Sequence, residues 1–176
     1  LLPYFHAHKM LYECFENYKR SESGDISHLT NLDYMSTDKF DNWIINLTNK
    51  LQIDISKSID RLELYKIPDY IFRYIDNLTN IWVKFSRDRL KDNENPEDTI
   101  NSINTLYRVL NRVNIILSPY MPFNTDMLYH YLKWIVTCKE VDFNSIHLLV
   151  TDNNVNYDEN IVESMDNVYQ IIEMVR

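Results

Sequence analysis

The stretch from Lys39 to Leu62 reads KFDNWIINLTNKLQIDISKSIDRL. Its apolar residues Phe40, Trp43, Ile44, Leu47, Leu51, Ile55, Ile59 and Leu62 recur at steps of three and four. That spacing follows the turn of an α-helix and places them on one stripe, whereas a half-buried strand would alternate. Ser36 to Asp38 precede the stripe with side chains that accept hydrogen bonds from the free N–H groups of a first helical turn. The pattern predicts one long amphipathic helix starting near Ser36 to Asp38, with its apolar stripe reaching Leu62.

The flanking sequence keeps the same period. Upstream, Leu2 to Lys19 reads as a first amphipathic helix, followed by a polar stretch from Ser21 to Asn31 expected to be a flexible loop. Downstream, Pro68 suits the first turn of a third helix, where its missing N–H has no partner to lose. Tyr74, Ile75, Leu78, Trp82 and Phe85 form its expected apolar face. Asn95-Pro96-Glu97-Asp98 opens a fourth helix with a cap, a proline and acids at the positive dipole end. Ile100, Ile103, Leu106, Tyr107, Leu110, Val113 and Leu117 give its stripe, and Pro119 ends it. Pro122 leads into a fifth helix with Met127, Leu128, Tyr131, Leu132 and Ile135 on its apolar side. A short extended run is expected at Ile146 to Val150, then a sixth helix carrying Ile161, Met165, Val168, Ile172 and Val175. Long helices joined by short turns pack as an antiparallel bundle. The expectation is an all-α bundle over residues 1–141, with an irregular connection and a C-terminal helix over 142–176.

Composition supports helices and removes several chemistries. The chain has 176 residues, 45% hydrophobic and 13% aromatic, enough for one core. Gly24 is the only glycine, too few for a phosphate-cradling loop or a hairpin-rich β fold. No HExxH, GxSxG or P-loop pattern occurs, so nothing points to a free-standing enzyme. His6 and His8 point to different faces of a helix, and His28, His130 and His147 lack spaced partners, so no metal site is expected. Ile55-Ser56-Lys57-Ser58 superficially resembles the end of a KMSKS loop, which needs a mobile turn, but it falls inside a continuous helical stripe and reads as a chance match. Cys14 and Cys138 form no disulfide framework, which suits a reducing compartment. No apolar run is long enough to span a membrane. The chain begins at Leu1 with no signal-peptide pattern, and both ends read as cuts inside a longer polypeptide.

Charge is unevenly spread. The formal net charge is −8, which counts against a free-standing nucleic-acid binder. Yet Lys57 to Lys91 holds eight basic residues against five acids, whereas Tyr120 to Arg176 holds three against nine. RNA contact, if any, therefore belongs to the middle of the chain, and the acidic end is then expected to face away. On the third helix, Arg73, Asn80, Lys84, Arg87 and Lys91 fall within about 60° of arc at α-helical spacing. They form a mostly cationic stripe opposite the apolar face, and they are the candidate RNA-binding residues. Arg89 lies on the apolar side and is expected to make a structural ion pair inside the bundle. Trp43 and Trp82 sit on apolar stripes and are expected in the core. Arg108 and Arg112 are weaker RNA candidates.

Several segments together resemble isoleucyl-tRNA synthetases of the eukaryotic branch. Leu2 to Leu11, LPYFHAHKML, is similar to the family's LPWYNAYRFL helix. Asp41-Asn42-Trp43-Ile44 resembles DRWI, Tyr65-Lys66-Ile67-Pro68 resembles LYKVVP, and Ile75 to Asn80 resembles FIDDLTN. Ile81 to Leu90, IWVKFSRDRL, resembles WYVRxxRxRxW. Thr105-Leu106-Tyr107 with Leu117 to Phe123, LSPYMPF, resembles TLY…LAPYTPF, and Ser145-Ile146-His147 continues as in that branch. The resemblance covers the chain in order. Asn42, Ile81 and Lys84 depart from the family pattern, and lysine for arginine keeps charge but loses bidentate geometry.

The resemblance implies an anticodon-binding domain that is itself non-catalytic. Its expected partners are the anticodon stem-loop of tRNA-Ile and the catalytic and C-terminal domains of a parent chain in the cytoplasm. No cofactor is expected in this fragment; ATP and magnesium would serve the parent enzyme. Membership of a multi-synthetase assembly stays open, as does a protein-docking role for the apolar surface at Leu1 to Phe15 or Ile161 to Val175.

Overall fold

The computed structural model describes residues 2–21, 36–91, 95–135, 145–149 and 155–175. The polar stretch 22–35, Cys138 and the segments 136–144 and 150–154 lie outside the described residues. The α-helices are α1 (Leu2–Ser21), α2 (Lys39–Asp60), α3 (Ile67–Asp76), α4 (Pro96–Leu117), α5 (Pro122–Ile135) and α6 (Glu159–Val175). Among the described residues there is no strand.

The long helix forms as its stripe predicts. The Asp38 carboxylate caps it, accepting from Phe40 N at 2.7 Å and Asp41 N at 3.1 Å. Trp43, Ile44, Leu47, Leu51 and Ile55 are buried, each contributing roughly 1.5–3 kcal/mol relative to exposure. The helix runs unbroken through Ser56-Lys57-Ser58, and Ser58 is buried there. α2 packs on α3, α4 and α6, so it is the central post of the bundle. Thr48 Oγ1 donates to Ile44 O at 2.8 Å, which leaves it to accept from Tyr74 OH at 2.7 Å and ties α2 to α3.

Leu62 does not continue the stripe. It is 84% exposed and sits at φ 58, in the left-handed region. Glu63 N reaches back to Ser58 O at 2.8 Å, and Leu62 N to Ile59 O at 3.0 Å. That bond pair is the Schellman stop, whose αL position favours glycine. A non-glycine side chain there costs about 1–2 kcal/mol. Replacing Leu62 with glycine removes little packing, so it is expected to raise stability by about 0.5–1 kcal/mol after the extra unfolded-state entropy is counted. A rise in urea midpoint at constant m-value is the readout, and a fall would show that Leu62 packs on something.

Three other sequence expectations are corrected. Phe85 is 56% exposed rather than in the core. Its helix runs from α3 into a π-helical stretch, Asn77–Val83, whose turns take more residues than α turns and so rotate everything after them. Burial there moves to Ile81, Trp82, Val83, Ser86 and Leu90. Met127 is also exposed, and among the described side chains of α5 Thr125, Leu128, Tyr129 and Leu132 are buried. Finally, Ile146–Leu148 form a single 3-10 turn, not an extended run. Asp126 of α5 accepts from Ser145 Oγ at 2.7 Å and Ile146 N at 3.0 Å. These bonds hold the turn against α5, bury Ile146, and draw the Asp126 carboxyl below its usual pKa.

The two ends of the chain behave differently. Tyr4, Ala7, Leu11, Cys14, Phe15 and Tyr18 of α1 enter the core, so most of that helix's apolar face is already covered. Burial pushes the Cys14 thiol up to about 11. On α6, Val162 is buried, whereas Val168, Ile171 and Met174 are exposed.

Candidate nucleic-acid interface

The helix formed by α3, the π stretch and the turn that follows it exposes four cations, Arg73, Lys84, Arg87 and Lys91. The far end of this helix is fixed by an ion cluster. Arg89 binds Asp41 of α2 through two N–H···O bonds of 3.1 Å. It binds Asp98 of α4 at 2.7, 3.0 and 3.1 Å. Asp41 is fully buried and also accepts from Trp82 Nε1 at 3.2 Å and Ser36 Oγ at 2.9 Å. Hydrogen bonding to Asp98 leads in raising the Arg89 pKa, and Arg89 in turn holds the Asp98 carboxyl below its usual range. The structural ion pair expected for Arg89 is present, and Trp43 and Trp82 are both core residues.

With its end anchored, the helix presents Arg73, Asn80, Lys84, Arg87 and Lys91 to solvent. The π stretch divides them. Arg73, before it, lines a groove with Leu51, Asp54, Tyr70 and Asn77 on the α2 side. Arg87 and Lys91, after it, line a groove with Ala7, Lys9 and Met10 on the α1 side. Asn80 donates to Asp76 Oδ1. Among the described residues, no carboxylate lies within ion-pair distance of Arg73, Lys84, Arg87 or Lys91. The expected single stripe is therefore a surface that turns around the helix, with one cation on its α2 side and two on its α1 side.

Sequence reasoning missed two features of this surface. Phe72 and Phe85 are both more than half exposed on the same helix. Phe85 escaped because the α-helical count ignores the π stretch, and Phe72 because it falls outside the expected stripe. His6 and Lys9 of α1 share the groove with Arg87 and Lys91, and only tertiary packing brings them there. Arg112, the weaker candidate on α4, donates to Gln52 Oε1 at 3.2 and 3.3 Å. Among the described residues, no group of three or more His, Cys, Asp or Glu side chains is arranged to hold a metal ion. No described helix is long and apolar enough to cross a membrane.

The bundle has recognisable relatives. The chain is 30% identical over 149 residues to the isoleucine–tRNA ligase of Clostridium tetani, a match covering 82% of this chain and 14% of that protein. It is 27% identical over 178 residues to the cytoplasmic isoleucine–tRNA ligase of Caenorhabditis elegans, covering 99% of this chain and 15% of that one. The cytoplasmic isoleucine–tRNA ligase of Arabidopsis thaliana is 29% identical over 178 residues, with 99% and 14% covered. The chain thus spans only 14–15% of the length of these relatives. Residues 41–176 match the family model described as the anticodon-binding domain of tRNA ligase, so the chain belongs to that family.

Proposed function

We propose that this bundle binds the anticodon stem-loop of tRNA-Ile and orients the tRNA for aminoacylation by a catalytic domain elsewhere in a cytoplasmic isoleucine–tRNA ligase. The observation that carries the reading is a helix surface whose exposed cations have no ion-pair partner among the described carboxylates, in a chain of the anticodon-binding family. The relatives named above, all isoleucine–tRNA ligases, support the choice of tRNA. On this reading ATP and magnesium act in the catalytic domain, and the bundle contributes binding alone.

The chemistry divides by residue type. Arg73, Lys84, Arg87 and Lys91 anchor phosphates, which fixes register but carries no sequence information. Unpaired anticodon bases stack on aromatic faces and expose their edges to hydrogen bonding; Phe72, Phe85 and the Asn80 amide are the groups of that kind on this helix. Asp126 of α5 repels the backbone and is expected to face away from the RNA, whereas α6 lies beside Phe85, sharing an apolar pocket with it through Met165, Val168 and Tyr169.

A titration of the isotope-labelled chain with the tRNA-Ile anticodon stem-loop, beside a loop-scrambled control, tests the reading by NMR. Shifts around Arg73 to Lys91 that the scrambled loop does not reproduce are expected. Equal responses to the two loops would reduce the function to nonspecific phosphate binding. Lys84→Ala is expected to weaken stem-loop binding about threefold at low salt, while Lys133→Ala on α5 leaves it unchanged. Equal losses from the two variants would overturn the orientation.

A further inference from the structure

We propose that the RNA surface is built by two helices, and that the groove between the N-terminal half of α1 and the end of the π-turn helix seats the sugar–phosphate backbone. The inference rests on the RNA-binding reading above and extends its surface to α1, with Lys9 and His6 on one wall and Arg87 and Lys91 on the other.

The groove has a volume of about 350 Å³. Its floor includes Ala7 and Val83, both buried, and its walls are exposed and polar. Among the described residues, three lysine or arginine side chains line it against one carboxylate, Glu13, which lies 3.6 Å from Lys9. In a chain of net charge −8 that local excess of positive charge sets the groove apart from the average surface. Ala7 is the only alanine in the sequence; at this floor position a longer side chain would fill the space between the helices.

The chemistry favours a phosphodiester chain over a base or a single small anion. Among the described residues the lining holds no tyrosine, phenylalanine or tryptophan, so the large stacking rings are missing and the basic side chains dominate its chemistry. Thr79 already donates its hydroxyl proton to Ile75 O at 2.8 Å, which leaves the four basic side chains as the donors. They stand on opposite walls of an open groove and do not converge on one buried point. That arrangement suits an extended polyanion, which gains affinity by displacing counterions along its length.

Fluorescence anisotropy with the labelled tRNA-Ile anticodon stem-loop and its scrambled partner, run from 50 to 200 mM salt, tests this. Lys9→Ala is expected to weaken both RNAs by the same factor, about threefold to tenfold at the lowest salt, and to reduce the slope of log K against log salt by about 0.7–0.9. His6→Ala lowers affinity less, and Lys9→Arg restores it; circular dichroism melts of the exposed-site variants should match the parent. Should Lys9→Ala leave binding intact while Arg87→Ala weakens it, the α1 wall is overturned and the RNA-binding reading survives. A loss confined to the cognate loop would also overturn a backbone seat, because it would make Lys9 a sequence-reading group. A parent chain that shows no salt-dependent binding to either RNA would overturn both proposals.

Discussion

Replacing Asp41 with alanine is expected to destabilise the bundle by about 3–5 kcal/mol, the loss typical of leaving a buried charge without its partner. The side chain is completely buried, and two Arg89 nitrogens, the Trp82 indole and the Ser36 hydroxyl all donate to it. Alanine leaves the Trp82 and Ser36 donors and one side of the Arg89 guanidinium facing a cavity, and Arg89 keeps Asp98 and the longer, 3.8 Å pair with Asp38. Asp41→Asn preserves volume but turns one acceptor into a donor, and should cost about 2 kcal/mol. Domains of this kind have a total stability of about 5–15 kcal/mol, so the alanine variant removes a large share of it. Urea denaturation is the readout, with a lower midpoint at unchanged m-value. Arg89→Ala should lose a similar amount, and the double variant less than the sum, because both changes break one interaction. A midpoint shift worth less than 1 kcal/mol for Asp41→Ala would mean that the cluster contributes nothing to holding the helix end.

That cluster shows what a single sequence reveals and what it hides. Arg89 sits on the apolar side of its helix, and a charge on an apolar face needs a buried partner. The need for an acid was therefore legible, but its identity was not. Asp41 is 48 positions away and on another helix, and nothing local in sequence selects it over the chain's other acids. The helices themselves were legible because local rules agree with tertiary packing: a capping Asp38, proline at the start of α3 and α4, and stripes with helical period.

Two of the misses share a cause. Each follows from a backbone departure that side-chain periodicity does not encode. The π stretch at Asn77–Val83 rotates all later residues, so Phe85 leaves the core and Arg73 parts from Arg87 and Lys91. The left-handed turn at Leu62 ends a stripe that the apolar spacing continues, because the residue there is apolar and not glycine. The candidate site inherits the same limit. Its cations were legible as residues on one helix, but the groove they share with α1 exists only through packing between segments more than 60 positions apart.

Acidification between pH 6.5 and 4 is expected to remove about 3 kcal/mol of stability through His8 alone. The imidazole is buried and belongs to a closed set of three hydrogen bonds. Its Nδ1–H donates to Tyr4 O at 2.9 Å, Asn114 Nδ2 donates to its Nε2 at 3.2 Å, and Tyr4 OH donates to Asn114 Oδ1 at 2.8 Å. A proton on Nε2 would face the Asn114 amide hydrogens, and flipping that amide would leave the Tyr4 hydroxyl without its acceptor. Burial leads in lowering the His8 pKa from 6.5 to about 4. The folded value lies below the unfolded one, so the unfolded chain takes up the proton first. Stability is complete above about pH 6.5 and falls as pH drops toward 4. Asp98 and Asp126, whose carboxyl pKa values are lowered from 3.8, lose their contributions only below that window, so the two effects separate. Denaturation curves at pH 7, 6, 5 and 4.5 read the loss, and His8→Gln should abolish the pH dependence in this range. Asn114→Asp is the sharper test: a carboxylate against Nε2 raises the folded pKa above 6.5, so stability should instead fall as pH rises beyond that value. An unchanged profile in that variant would mean that the histidine does not control the acid sensitivity of the fold.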